Sequence, residues 1–134
     1  MNNTFKKSER LNSKLVIDKL FAGGNSSCAV FPLRVVYMQI PEDIVPDSMA
    51  EVPAAILVSV PKKRFHHAVD RNRLKRLVRE VYRTNKAALW QKLEDKDYKL
   101  AIAFVCITDS MPSFRQVNKA VCKALVKIEE SLED

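Results

Sequence analysis

Residues 60–86 read VPKKRFHHAVDRNRLKRLVREVYRTNK, and this stretch carries the basic character of the chain. Positions 61–86 contain ten lysines and arginines and two acids, whereas the rest of the chain contains thirteen bases and fourteen acids. The net charge of +7 therefore comes from one segment. Such a concentrated positive charge indicates a polyanionic partner, because it creates a local field that attracts one.

The same segment has the periodicity of an amphipathic helix, for which Asp70 is the predicted N-cap. At about 100° per residue, apolar side chains occupy one arc and most of the basic side chains occupy the opposite arc. The apolar arc holds Leu74, Leu77, Val78 and Val81. The opposite arc holds Arg71, Asn72, Lys75, Arg76, Arg79, Tyr82 and Arg83. Five cations with only Glu80 nearby repel one another, so the pattern favours bound nucleic acid or another polyanion over a solvated helix face.

The basic residues also follow a spaced motif. Lys62-Lys63 precedes Ala68-Val69-x-Arg71-Asn72-Arg73-x-Lys75-Arg76-x-x-Arg79, which resembles the RNR signature of the bacterial ribonuclease P protein subunit. The resemblance extends over about residues 4–130. It implies that the residues of the motif contact a catalytic RNA subunit: Arg71, Asn72, Arg73, Lys75, Arg76 and Arg79.

Length and composition are those of one globular domain, residues 1–134, with 47% apolar residues and only two glycines. No apolar run reaches the roughly 18 residues of a membrane span, and the polar N-terminus lacks a signal-peptide core, so we expect a cytoplasmic protein. The three cysteines have no C-x-x-C spacing and are predicted to be reduced. His66-His67 lacks a third ligand at a zinc-like spacing, so we expect no metal site in the protein.

Capping and turn signals divide the chain into alternating helices and strands. Three apolar stretches are predicted strands: residues 29–40, 54–60 and 98–108. Ser13 is a predicted cap of a first helix over 14–22, which Gly23-Gly24 would end. The basic helix is predicted from 71 to at least 83 and at most 93, and Asp109 or Ser110 is predicted to cap a last helix. The acidic, proline-rich segment 41–53 is predicted to be a surface loop.

This order of elements predicts an α/β (α+β) two-layer sandwich, with three helices on a small mixed sheet of about four strands. The elements would follow one another as αββ(β)αβα. The resemblance implies a left-handed βαβ crossover, whereas the sequence alone predicts the right-handed default.

The resemblance further implies a cleft for the single-stranded 5′ leader of precursor tRNA, between the sheet, the first helix and the basic helix. Family members carry two aromatics one turn apart at the end of the first helix. Phe21 matches the second; the first is replaced by Ile17, or by Leu11 if residues 12–14 are an insertion. Candidates for the cleft lining are Lys62, Lys63, Phe21 and Tyr37. Phe21 and Tyr37 are also compatible with positions in the core.

The sequence contains no catalytic motif: G-x-S-x-G, a Walker loop, H-E-x-x-H and a metal-binding carboxylate cluster are all missing. This agrees with the family, in which an RNA subunit cleaves the leader and holds the Mg²⁺ ions. The protein would be an accessory subunit, inactive alone, with the catalytic RNA and precursor tRNA as partners and no membrane or DNA partner.

Three alternatives stay open: a ribosomal or general RNA-binding module, a DNA-binding helix-turn-helix, and a calmodulin-target or membrane-surface helix. The strand-like residues 54–60 argue against a helix-turn-helix, which needs a short helix there. A calmodulin-target or membrane-surface helix needs bulky apolar anchors, and Trp90 lies beyond the charged part of the helix, which argues against this alternative.

Overall fold

The computed structural model describes residues 5–132, and within this range the chain forms four α-helices and one four-stranded sheet. The helices are α1 (Lys14–Leu20), α2 (Ala68–Asn85), α3 (Ala87–Leu93) and α4 (Phe114–Ser131). The strands are β1 (Ser26–Val30), β2 (Leu33–Gln39), β3 (Ala54–Ser59) and β4 (Leu100–Cys106). None of the described helices is long and apolar enough to cross a membrane.

The sheet is mixed, as predicted, with the strand order β1-β2-β4-β3. Strand β2 is antiparallel to both β1 and β4, whereas β3 and β4 are parallel neighbours. Helices α2 and α3 form the connection from β3 to β4, so the basic helix belongs to a crossover between adjacent parallel strands. The left-handed sense of this crossover stays a prediction.

Different elements cover the two faces of the sheet. Ile102 and Phe104 of β4 pack in one core cluster with the apolar stripe of α2 and with α4. Ala101 and Ala103 of the same strand pack in a second cluster with α1 and with buried residues of segment 41–53. Because successive side chains of a strand point to opposite faces, α1 and α2 lie on opposite sides of the sheet.

The predicted strand over 29–40 is two strands. Val30 pairs with Leu33 across a tight turn at Phe31 and Pro32, which are joined by a cis peptide bond. Strand β1 begins at Ser26, earlier than predicted, because its first residues are polar and gave no apolar pattern. The prediction did not recognise that Pro32 lies in the turn between two paired strands. In this turn the absence of an N–H on Pro32 removes no hydrogen bond from the interior of the sheet.

The helix caps differ from the prediction at two of three places. Ser13 caps α1 as expected, since its Oγ accepts a hydrogen bond from the N–H of Val16 at 3.3 Å. Helix α2 begins one turn before the predicted start, with His67 as N-cap, so Asp70 lies in the first turn rather than at the cap. Helix α4 is capped by Ser113, not by Asp109 or Ser110, because Ser113 and Gln116 form a reciprocal capping box.

The end of α1 follows the predicted glycine signal. The helix stops at Leu20, two residues short of the prediction, and Gly23 and Gly24 follow with φ of 99° and 82°. Only glycine adopts this left-handed region without steric cost. The side-chain amide of Asn25 donates to the carbonyls of Lys19 and Leu20, which satisfies acceptors at the helix end.

A buried network connects residues 5–11, the N-terminal segment, to the end of the basic segment. Lys86 Nζ donates to Glu9 Oε1 at 2.6 Å, and each side chain is only 1% exposed. The other oxygen of Glu9 accepts from the N–H of Lys6 at 2.7 Å, and Lys86 Nζ lies 4.1 Å from the ring centroid of Trp90. The Trp90 indole N–H donates to the hydroxyl of Tyr82 at 2.9 Å.

The prediction that Tyr82 shares the cationic face is therefore wrong. Its ring is fully buried, in edge-on contact with the rings of Phe5 and Phe104. Burial raises the pKa of this phenol far above its usual value. The helix projection misplaced Tyr82 because the N-terminal segment covers this flank of α2, and nothing in the helix sequence reveals that cover.

We predict that Lys86→Met lowers the free energy of unfolding by about 3–5 kcal/mol, because it leaves the Glu9 carboxylate buried without its partner. The matched control is Lys14→Met, which breaks the Lys14–Asp18 ion pair, whose side chains are 88% and 62% exposed. This control should cost less than about 1 kcal/mol. Urea unfolding of both variants is the measurement, and similar losses for the two would contradict the role given to the buried pair.

Candidate nucleic-acid interface

The outward face of α2 is a dense cationic surface. Its polar residues are exposed or half-buried, whereas Leu74, Val78 and Val81 on the other side are fully buried. Glu80 accepts two hydrogen bonds from Arg83, which lower the pKa of Glu80 and raise that of Arg83. Within residues 5–132, four other cations of this helix form neither an ion pair nor a side-chain hydrogen bond: Arg73, Lys75, Arg76 and Arg79.

Arg71 differs from these neighbours. Its guanidinium donates to the carbonyls of Phe65 and His66, both at 2.9 Å, and is half-buried. These bonds hold the loop that enters α2 against the first turn of the helix. Arg71 thus braces the start of the motif, while Asn72 and Arg73 beside it are exposed.

A cavity of about 360 Å³ lies between the N-terminal segment and α2. It is lined by Phe5, Arg10, Asn72, Arg76, Arg79 and Glu80. The pKa of Arg79 is lowered, first by partial burial and then by repulsion from Arg10. Arg10 was missed by the sequence analysis, because it lies in an irregular segment with no motif and no periodicity.

The loop after β3 carries two of the predicted cleft residues. Lys62 and Lys63 are both exposed. The Pro61 carbonyl accepts the N–H groups of Arg64 and Phe65, and the Arg64 guanidinium pairs with Asp109 at 3.1 Å. The loop is therefore anchored on both sides of the two lysines, which leaves their side chains directed to solvent.

The face of the sheet beside α1 is only partly covered. Val36, Leu57 and Val105 lie on this face and are half-buried. Phe21, just beyond α1, is 46% exposed, so it is not a core residue. One turn earlier, Ile17 is half-buried against the α1-side cluster, whereas Leu11 is fully buried in it. This surface therefore consists of one exposed aromatic ring, Phe21, beside half-buried aliphatic side chains of the sheet.

Two features of the predicted leader cleft are wrong. Tyr37 packs against the core cluster on the α2 and α4 side, because it alternates with Val36 and Met38 along β2. It therefore faces away from the surface beside α1. The basic helix does not form a wall of that surface either, since α1 and α2 lie on opposite sides of the sheet.

Helix α4 carries a second basic row that the sequence analysis missed. It consists of exposed cations at every fourth position: Arg115, Lys119, Lys123 and Lys127. Residues spaced by four lie along one face of a helix, so the spacing in the sequence could have predicted this row. Helix α4 packs over β1 and β2, whereas α2 packs over β3.

Comparison with known proteins identifies the family. The family model for ribonuclease P matches residues 5–129 of this chain. The chain belongs to the ribonuclease P protein family. The ribonuclease P protein component of Porphyromonas gingivalis is 45% identical over 122 residues, which cover 91% of this chain and 84% of that protein. That of Chlorobium phaeobacteroides is 31% identical over 133 residues, with 94% and 88% covered.

The fold agrees with solved ribonuclease P proteins. The structure of the Staphylococcus aureus RNase P protein is similar with a TM-score of 0.64 at 17% identity, covering 95% of this chain and all of that chain. Ribonuclease P acts in the 5′ maturation of tRNA, so the chain is a subunit of an endoribonuclease and associates with RNA. The predicted family and role are thereby confirmed.

We predict that Phe21→Ala weakens the binding of single-stranded 5′ leader RNA by about 1–3 kcal/mol, because it removes a stacking surface. Its effect on the free energy of unfolding should stay well below the about 3–5 kcal/mol expected for Phe104→Ala, because Phe104 is fully buried. Calorimetric unfolding and leader-length titrations on the same variant measure both quantities. A Phe21 variant as destabilised as the Phe104 variant, with unchanged leader affinity, would assign the ring to packing.

Proposed function

We propose that this protein is the accessory subunit of a ribonuclease P in which a catalytic RNA cleaves the 5′ leader from precursor tRNA. The observation that carries the proposal is the row of α2 cations that form no ion pair with any residue between 5 and 132. Arg73, Lys75, Arg76 and Arg79 repel one another in the free protein, and RNA phosphates would neutralise them. The protein acts by binding: each phosphate that a lysine or arginine neutralises releases counterions from the RNA.

The catalytic RNA occupies the outward face of α2, and the leader occupies the surface beside α1. On that surface, Phe21 stacks on an unpaired base, and Val36 and Val105 supply an apolar floor. Lys62 and Lys63, in the loop after β3, contact leader phosphates. Because these two surfaces lie on opposite sides of the sheet, one small domain can bind the catalytic RNA and the single-stranded leader of the substrate at the same time.

The Mg²⁺ ions that cleavage requires are held mainly by the catalytic RNA. The carboxylates within the basic segment are Asp70 and Glu80, and both oxygens of Glu80 are already engaged by Arg83. Mg²⁺ prefers several oxygen ligands in octahedral geometry, and this donor set does not provide them. The protein contributes indirectly, because its cations fix the RNA that binds the ions. We place this work in the cytoplasm, on RNA rather than DNA.

The purified protein alone should cleave no precursor tRNA at any Mg²⁺ concentration. Added to its RNA subunit, it should lower the Mg²⁺ required for cleavage, because its cations replace counterions between two RNAs. It should also lower the KM for substrates with a leader more than for leaderless models. A Mg²⁺ titration with and without RNA tests this, and specific 5′ cleavage by nuclease-free protein alone would overturn the accessory role.

Lys75→Ala should weaken binding to the RNA subunit across RNA sequences and reduce the log–log salt slope by about 0.7–0.9, the value for one phosphate contact. Lys123→Ala on α4 is the matched control, because it removes from another surface one exposed cation that forms no ion pair with the described part of the chain. Filter binding between low and moderate salt measures both slopes. Equal changes for the two variants would mean that net charge, rather than the face of α2, governs binding.

A further inference from the structure

The cavity between the N-terminal segment and α2 brings together two guanidinium groups that have no anionic partner among the residues that the structure describes. Arg10 and Arg79 both line it, and within residues 5–132 neither forms an ion pair. The one carboxylate at its edge, Glu80, is engaged by Arg83. Two like charges beside a shared cavity raise the energy of the free protein unless an anion enters.

The structure holds Arg10 in this place through several independent contacts. The next residue, Leu11, donates its N–H to the carbonyl of Ile56 at 2.8 Å, and Arg10 itself forms a parallel bridge with Ile56. The preceding residue, Glu9, is fixed by the buried ion pair with Lys86 at 2.6 Å. The Arg10 guanidinium carbon lies 5.8 Å from the ring centroid of Phe5. The Arg10 side chain is exposed, and these contacts fix the backbone that carries it at the cavity.

The lining of the cavity matches one ligand class. Guanidinium groups bind phosphate oxygens in a bidentate manner, and the Asn72 amide at the same cavity adds a short neutral donor. The volume of about 360 Å³ lies within the range of pockets that hold small ligands or parts of larger ones. The opening is continuous with the cationic face of α2, since Arg76 belongs to both.

We propose that Arg10, together with Arg79 and Asn72, forms a binding site for one backbone phosphate of the catalytic RNA. The inference rests on the proposed function, because it presumes that RNA lies on the face of α2. It extends the interface beyond the RNR motif to the N-terminal segment. Glu9 and Lys86 act as positioning residues: they touch no RNA and hold Arg10 at the cavity.

The test uses the full-length protein and an in vitro transcript of the RNA subunit. Arg10→Ala should reduce affinity about tenfold and lower the log–log salt slope by about 0.7–0.9, as expected for one lost phosphate contact. Arg10→Lys, which keeps the charge but loses the bidentate fork, should fall between Arg10→Ala and the unmodified protein. Lys123→Ala, the control for net charge, should stay close to the unmodified protein.

A double-mutant cycle identifies the shared phosphate. If Arg10 and Arg79 bind the same phosphate, the fold-loss of affinity in the double variant should be much smaller than the product of the fold-losses in the two single variants. Thermal unfolding of each variant verifies that the fold is retained, and Arg10→Lys keeps the test decisive if Arg10→Ala unfolds. Unchanged affinity in folded Arg10 variants, while Lys75→Ala still weakens binding, would overturn this inference alone. Loss of the Lys75 effect as well would overturn the proposed function.

Discussion

Strand β4 buries both of its faces, and this constraint decides where the other elements lie. Bulky Ile102 and Phe104 point to α2 and α4, whereas the small Ala101 and Ala103 point to α1. A seven-residue helix such as α1 covers only part of its face, so an aliphatic strip with Phe21 at its edge stays accessible. The cationic helix must then lie on the opposite side. The two surfaces that we propose for RNA binding therefore lie on opposite sides of the sheet, as the burial pattern of this one strand requires.

The Lys86–Glu9 pair explains how an irregular N-terminal segment becomes part of the basic surface. Apolar contacts alone would allow this segment to pack in several positions. A buried charge without its partner has a high free-energy cost, so the Lys86–Glu9 pair favours the one position in which the two side chains are in contact. Its cost is offset by the hydrogen bond from Lys6 to Glu9 and by the ring of Trp90 beside the ammonium. The pair therefore determines where the segment lies, and it places Phe5 and Arg10 beside α2. The same cover buries Tyr82.

The sequence predicted the features that depend on local pattern. The charge segregation and apolar stripe of α2 and the cap at Ser13 are all periodic or short-range signals, and the structure has them. The errors concern positions that distant segments decide. Tyr82 is covered by Phe5 of the N-terminal segment, and the face of Tyr37 depends on the strand register set by the unrecognised turn at Phe31 and Pro32. The place of Arg10 beside α2 depends on the Glu9–Lys86 pair and on the bridge to Ile56, whose partners are distant in sequence, so no local pattern could reveal it.

Hydroxyl-radical footprinting of side chains tests the central claim, that two separate surfaces meet two RNAs. Met111 lines a cavity with Arg73 and Arg76 and reports on the α2 surface, whereas Phe21 reports on the surface beside α1. The account predicts that the RNA subunit alone protects Met111 and leaves Phe21 reactive. Precursor tRNA with a long leader, added to that complex, should then protect Phe21, and leaderless tRNA should not. Protection of Phe21 by the RNA subunit alone, or an unprotected Met111 in the complex, would contradict it.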